Sequence, residues 1–278
     1  HNLYGRNELL PETEANDTLR ETLFMGARKP VFTSVNSDNH LISLSEILGM
    51  YLLIWSPSLW KHVSLDQEGV PPEHAERYAA ELQSIQQFAE GLHKVRRALA
   101  HVPVYMIFDD HDVTDDWNLN RIWEESAYSQ PFSKRIIGNA LIGYLLCQGW
   151  GNAPERFSPD LMEKLRNALN SDQPELQDDL IERLMSLGKW HYVIDTKPKL
   201  VVLDTRTQRW WCKHGKNAPS GLLNEKSLNE LQDVLLDEEA VILVSPAPVF
   251  GVKLIEVVQR IFTWFGHALM VDAENWMA

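Results

Sequence analysis

The chain has 278 residues, 44% of them hydrophobic and 23% charged, ordinary globular proportions that exclude a disordered tail and suffice for one large core or two modest ones. Its formal net charge of -13, with 39 acidic residues, argues against general nucleic-acid affinity, which needs clustered Lys and Arg to displace phosphate counterions. Two cysteines, Cys147 and Cys212, can build neither a disulfide framework nor a Cys-based zinc knuckle.

In chain order, the opening His1-Asn2-Leu3-Tyr4-Gly5-Arg6 carries no basic n-region followed by an apolar h-region, so any leader would have preceded it and the compartment stays open. Leu41 to Trp60 is the longest apolar stretch. Leu44, Ile47, Leu48, Tyr51, Leu52 and Trp55 stand near helical spacing in it, while Glu46 and Pro57 interrupt it. The reading is a buried helix over Ser43–Trp55 and no transmembrane segment. A long helix over Pro72–Ala100 follows, and residues 61–100 read as a helical insertion.

The β-branched run Val102–Phe108 reads as a strand, as do Tyr192–Ile194, Leu200–Leu203 and Val241–Val244. Between them the pattern predicts helices over Ser133–Cys147, Pro159–Asn170, Pro174–Leu187 and Asn224–Leu235, with another over Val252–Phe265 near the end. Gln148 to Asp160, rich in Gly and Pro, is a loop that Trp150 and Phe157 would pin to the body. The turn at Thr196-Lys197-Pro198-Lys199 predicts an antiparallel hairpin. Asp17, Ser43 and Asn224 suit N-caps, and Ser227 with Glu230 has capping-box spacing. Alternating helices and strands predict an α/β fold with mixed sheet layers and flanking helices.

The most informative stretch is Asp109-Asp110-His111-Asp112-Val113-Thr114-Asp115-Asp116, five acids and a histidine within eight residues, directly after the Val102–Phe108 run. In open α/β sheets ligands bind where the strands end. So many carboxylates together are unfavourable unless a cation compensates or some are protonated, and a hard multivalent metal would remove the conflict. His111 among carboxylates also suits a proton donor, with a neighbouring acid fixing its tautomer. The bland alternative is an acidic turn capping the next helix, with Asp115 or Asp116 at the helix N-terminus.

Two further strand ends converge on this reading. Leu200–Leu203 ends in Asp204-Thr205-Arg206-Thr207-Gln208-Arg209, and Val241–Val244 ends in Ser245. If both strands run the same way in one sheet, Asp204 and Ser245 approach the Asp110 loop. Arg206 and Arg209 could then clamp phosphate oxygens bidentately, although a structural ion pair is the stronger reading for Arg206. Trp210 and Trp211 read as core or rim packing, Asn39-His40 as a cap or surface pair, and Cys212 with His214 lacks companion ligands.

The run Val-Pro-Val-Tyr-Met-Ile-Phe-Asp-Asp-His-Asp-Val-Thr-Asp-Asp-Trp, residues 102–117, resembles the central block of PhoD-like (alkaline phosphatase D) phosphatases, within the calcineurin-like metallophosphoesterases. Leu203-Asp204-Thr205-Arg206 and Asp272-Ala273-Glu274-Asn275-Trp276 resemble later landmarks of that family. The resemblance implies a metallophosphoesterase-like α/β sandwich over residues 1–278. It also implies a two-metal site, of divalent ions with ferric iron or calcium among the candidates, that hydrolyses small phosphate esters with a metal-bound hydroxide. Carried over residue by residue, it makes Asp110 and Asp109 metal ligands, His111 the catalytic group facing phosphate and Asp112 its orienting partner, with Asp115, Asp116 and Asp204 behind them.

Early Gly-Asp-x-x-x-Asp and late Gly-Asp-x-His or Gly-His-x-His blocks, which the resemblance also implies, are not in these 278 residues. The expectation is therefore an internal fragment whose activity belongs to a longer protein. Two other readings stay open: a non-catalytic protein whose acidic loop binds calcium, and a scaffold without catalysis. His111 speaks against calcium, which seldom takes imidazole.

Overall fold

The structure, a computed structural model, describes residues 4–11, 31–32, 37–66, 69–115, 117–188, 190–211, 220–250 and 276. Asp17, Asp116, Cys212, His214, the Val252–Phe265 helix and most of the 272–276 landmark lie outside these residues. The chain divides into two units, one of residues 1–9 and 35–105, the other of residues 10–34 and 106–278. Among the described residues no helix is long and apolar enough to cross a membrane.

In the first unit, helix α1 (Leu44–Trp55) starts where the sequence predicts, and its cause is local. The Ser43 hydroxyl accepts the Glu46 amide, and the Glu46 carboxylate accepts the Ser43 and Ile42 amides, closing a capping box. Arg6 adds an ion pair to Glu46 at 2.6 Å and donates to the His40 carbonyl. Ile47 and Tyr51 of α1 are buried, whereas Leu52 is more than half exposed. Pro72–His74 makes a single 3-10 turn that leads into α2 (Ala75–Leu99). Arg77 on α2 pairs with Asp38 and, at 2.8 Å, with Glu81, and its guanidinium stacks 4.3 Å over the Tyr4 ring.

The second unit holds helices α3 (Arg121–Ser129), α4 (Pro131–Tyr144), α5 (Pro159–Leu169), α6 (Pro174–Met185) and α7 (Glu225–Leu235). Asn120, Ser158 and Asn224 cap α3, α5 and α7 with side-chain oxygens. Ser227 and Glu230, read as a capping box, instead lie inside α7 because Asn224 accepts the Ser227 amide and starts the helix earlier. Helix α4 is buried continuously from Ile136 to Tyr144. It approaches α6 closely because Gly138 offers no side chain there; a Cβ would collide with the buried Ile181. Gly138→Ala is therefore expected to cost about 1–3 kcal/mol through overpacking.

Three strands form one mixed sheet in the order β1 (Tyr192–Ile194), β2 (Lys199–Val202), β3 (Val241–Val244). The predicted hairpin is present, with Tyr192 opposite Val202 and Ile194 opposite Leu200. β2 and β3 are parallel, with Val202 opposite Val244, and α7 lies between them in sequence, as a parallel crossover requires. The molecule thus has mixed α/β character with a small sheet.

Val102–Phe108, expected as a strand, is not one. It lies outside the sheet, with Pro103 lacking an amide donor and Val102 more than half exposed. Side chains take the place of a ladder at its end. Asn152 accepts the Met106 amide at 3.0 Å and donates to the Met106 carbonyl at 2.6 Å, and the Tyr144 and Tyr192 hydroxyls both reach that carbonyl at 3.1 Å. Asn152 belongs to the stretch read as a plain loop, which here comprises a π-helical turn (Leu145–Gly149), a helical turn (Trp150–Asn152) and a 3-10 turn (Pro154–Arg156). Phe157 pins it by packing 6.1 Å from the Trp190 ring, while Trp150 is 43% exposed and does less than expected of it.

Candidate metal centre

Phe108 decides where the acidic loop begins. Its ring is buried among Tyr144, Trp117 and Trp190, with centroids 4.8, 5.2 and 5.7 Å away in edge-on arrangements. Burying one such ring contributes about 2–3 kcal/mol, so the residue before the loop is firmly held. Asp109 then leaves in an extended conformation, and Asp110–Asp112 form one 3-10 turn. The turn is stapled by its own acids. The Asp109 carboxylate accepts the Asp110 amide and the Asp112 carboxylate accepts the Asp109 amide, each at 2.9 Å. The Asp110 carbonyl closes the other end by accepting the Val113 and Thr114 amides.

A second loop, leaving β2, supplies the counter-charge. Asp204 is 1% exposed, and its carboxylate accepts the Arg206 amide at 3.0 Å, the Thr207 amide at 2.8 Å and the Thr207 hydroxyl. Burial pushes the Asp204 carboxyl above the usual carboxylate range, against the pull of these donors and of Arg206. The turn it builds projects Arg206 onto the acidic loop. Arg206 Nε lies 2.8 Å from Asp109 Oδ1, and its Nη2 bridges Asp109 Oδ1 at 2.6 Å and Asp110 Oδ1 at 3.3 Å. The Arg206 carbonyl accepts Asn118 Nδ2 at 3.2 Å, and Asn118, in the left-handed region at φ 53, accepts the Tyr128 hydroxyl.

Arg209, expected beside Arg206 at phosphate, is buried and donates to the Leu119 carbonyl at 2.8 Å and the Thr205 carbonyl at 3.3 Å, so it ties backbone together. Ser245 also serves its own turn: its hydroxyl donates to the Ala247 carbonyl and accepts the Trp276 indole N–H. Trp210 forms an isolated bridge with Gly221, and Trp211 hydrogen-bonds Glu124.

Three of the loop's side chains gather. Asp110, His111 and Asp115 each offer one donor atom, all within 4.8 Å of one another. His111 Nε2 is 3.9 Å from Asp110 Oδ1 and 3.7 Å from Asp115 Oδ1. A divalent ion with bonds of ~2.1 Å and tetrahedral angles wants donors ~3.4 Å apart, closer than the 3.9 and 3.7 Å from His111 to the two carboxylates, so the group must contract to bind it. A nitrogen and two carboxylate oxygens fit an ion of the zinc, manganese or iron type. This group could hold one metal ion. Among the described residues no second group of this kind occurs, so the donor set fits one ion and does not by itself fit two.

The other acids have other work. Asp109 is committed to Arg206 and to the Asp110 amide. Asp112, expected to orient His111, has an oxygen on the Asp109 amide; desolvation, followed by the charges of Asp109 and Asp110, raises its carboxyl above the usual range. Asp115, read only as a background residue, joins the donor group. Its signal was the four-residue spacing from His111. Asn118 and Tyr128 were missed because nothing in the sequence ties them to a loop some ninety residues downstream.

Comparisons with protein-family models, curated proteins and solved structures return no match to this chain.

Proposed function

We propose that the protein is a metal-dependent hydrolase of small phosphate esters whose active centre is the Asp110–His111–Asp115 group. The observation that carries this reading is that donor group, set on a rigid turn with the His111 side chain 74% exposed beside it. A bound ion there would supply Lewis acidity and neutralise charge gathering on a phosphoryl group. The chain's own residues would do the rest. Asp110 and Asp115 give negative charge to hold the ion, His111 completes the set from the solvent side, and Arg206 restrains Asp109 and Asp110 so that the turn keeps its shape.

The likeness of residues 102–117 to PhoD-like phosphatases supports the substrate class. Under the same reading the three-stranded sheet is one layer of a metallophosphoesterase-like sandwich. Two ions would need donors beyond this group, and metal stoichiometry decides between one and two.

The test is hydrolysis of p-nitrophenyl phosphate and its bis ester by the protein at its full natural length, across Mn2+, Zn2+, Fe3+ and Ca2+. Metal-dependent turnover that falls at least ~100-fold in His111→Ala supports the reading. Calcium binding without turnover on any metal would replace it with a structural calcium loop.

A further inference from the structure

We infer that the outer face of helix α2 is an interface at which two copies of this chain pair antiparallel. The interface lies wholly in the first unit and does not rest on the phosphoesterase reading. Helix α2 has 25 residues, all described, and of these only Leu92 is buried. His74, at its N-cap, supplies no side-chain hydrogen bond. Helices in proteins are held mostly by packing rather than by propensity, and α2 has little of it within its own chain. Beside the Leu92 stripe runs a second one, Ser84, Phe88, Gly91, Val95 and Ala98, at alternate spacings of four and three residues, the repeat that keeps one seam in line along two paired helices. It spans about 21 Å at 1.5 Å per residue. Large and small side chains alternate along it. Phe88 and Val95 are 43% and 48% exposed, Ser84 and Ala98 are exposed, and a Cβ on Gly91 would meet nothing within 4 Å. The Trp60 ring, edge-on at 6.2 Å, holds Phe88 from one side. A glycine weakens a helix interior, and here its missing side chain leaves a hollow between two apolar knobs.

The pattern is complementary to itself. With two copies antiparallel and Phe88 of one over Gly91 of the other, the same register sets Val95 over Ser84, so each large side chain meets a small one across a two-fold axis. Charge selects that direction. Residues 91 to 108 contain no acid, and Lys94, Arg96 and Arg97 are exposed among them. Glu76 and Glu81 belong to the first half of α2, where Arg77 is already matched by Asp38. Parallel pairing would stack the three cations on their own counterparts, whereas antiparallel pairing lays them toward the half that carries Glu76 and Glu81. Glu90 lies level with the midpoint of the other helix in either direction and does not choose between them. A single helix seam is smaller than a standard interface, so the dimer forms and dissociates with concentration.

Sedimentation velocity of the protein at its full natural length, in EDTA and across ~5–200 µM, tests the inference. A monomer–dimer equilibrium is expected. Gly91→Gln fills the hollow with a good helix former that meets open space in the monomer, so it should weaken dimerisation at least ~10-fold and leave the fold intact. Phe88→Gln, which removes a knob, should weaken it as much. Leu228→Gln, at a leucine of α7 exposed to a similar degree, should leave the dimer unchanged. A monomer throughout that range, an assembly larger than a dimer, dimerisation unaltered in a folded Gly91→Gln variant, or loss of the dimer in Leu228→Gln would overturn it. If circular dichroism shows Phe88→Gln to be unfolded, Gly91→Gln decides.

Discussion

Two acid-bearing regions of this chain solve the same electrostatic problem differently. In the first unit each acid that matters meets a cation: Glu46 meets Arg6, and Asp38 and Glu81 meet Arg77. In the acidic loop, Asp109, Asp110, Asp112 and Asp115 stand within seven residues, and Arg206 pairs with the first two of them. The first region is balanced by its own side chains. The second keeps a surplus of negative charge next to an exposed imidazole, and a chain holds such a surplus in place only when rigid packing forces it or a cation arrives. The packing is in place, since Phe108 anchors the loop, and Asp110, His111 and Asp115 form a group that could hold the cation.

The largest effect should come from removing the shared cation. Arg206→Met leaves Asp110, 12% exposed, and Asp109, 40% exposed, without their counter-charge, and about 2–3 kcal/mol of stability, a figure reduced for solvent at Asp109, should vanish in a urea melt. A loss under 1 kcal/mol would mean the loop is balanced by something else. Adding Asp109→Asn to Arg206→Met should recover part of the loss, which a double-mutant cycle would read directly. Next comes the anchor: Asn152→Ala strips two hydrogen bonds from Met106, for an expected cost of about 2 kcal/mol in the same melt.

Glu46→Gln tests the balanced region and should cost about 1 kcal/mol at neutral pH, the figure reduced for partial exposure of the pair. Arg6, ahead of the Ser43 and Ile42 amides, holds the Glu46 carboxyl down from the ordinary 4.5 to about 2. A depressed carboxyl stabilises the fold above its unfolded value and loses that contribution as pH falls toward the folded one. The difference between Glu46→Gln and the parent should therefore be full above pH 4.5 and shrink between 4.5 and 2, as thermal melts across that window would show. A gap that stayed constant with pH would remove the ion pair from the explanation. The smallest effect should belong to His111→Ala, whose exposed side chain should change stability by no more than about 0.5 kcal/mol in the absence of metal.

What could be read from the sequence was whatever is decided locally. The Ser43 capping box, the Asn224 cap, the Thr196–Lys199 turn and the apolar runs of β1, β2 and β3 all lie within a few residues of the features they predict. The acidic loop was visible for the same reason. What stayed hidden depends on partners far along the chain. Val102–Phe108 has the composition of a buried strand, and the side chains that pin Met106, those of Tyr144, Asn152 and Tyr192, lie 38 to 86 residues further on. Arg206 could be suspected of ion pairing, but its choice of Asp109 and Asp110 across ninety-seven residues could not be read. Helix α3 was missed although Asn120 caps it, because its short Arg121–Ser129 run carries no long apolar periodicity.

The most direct test is Mn2+ binding at pH 7 by calorimetry, comparing the parent with His111→Ala, Asp115→Asn and Asp112→Asn. One ion per chain is predicted, bound at least ~10-fold more weakly in the first two variants and within about twofold of the parent in Asp112→Asn. If His111→Ala and Asp115→Asn bind Mn2+ as the parent does, or if Asp112→Asn alone abolishes binding, Asp110, His111 and Asp115 are not the metal centre.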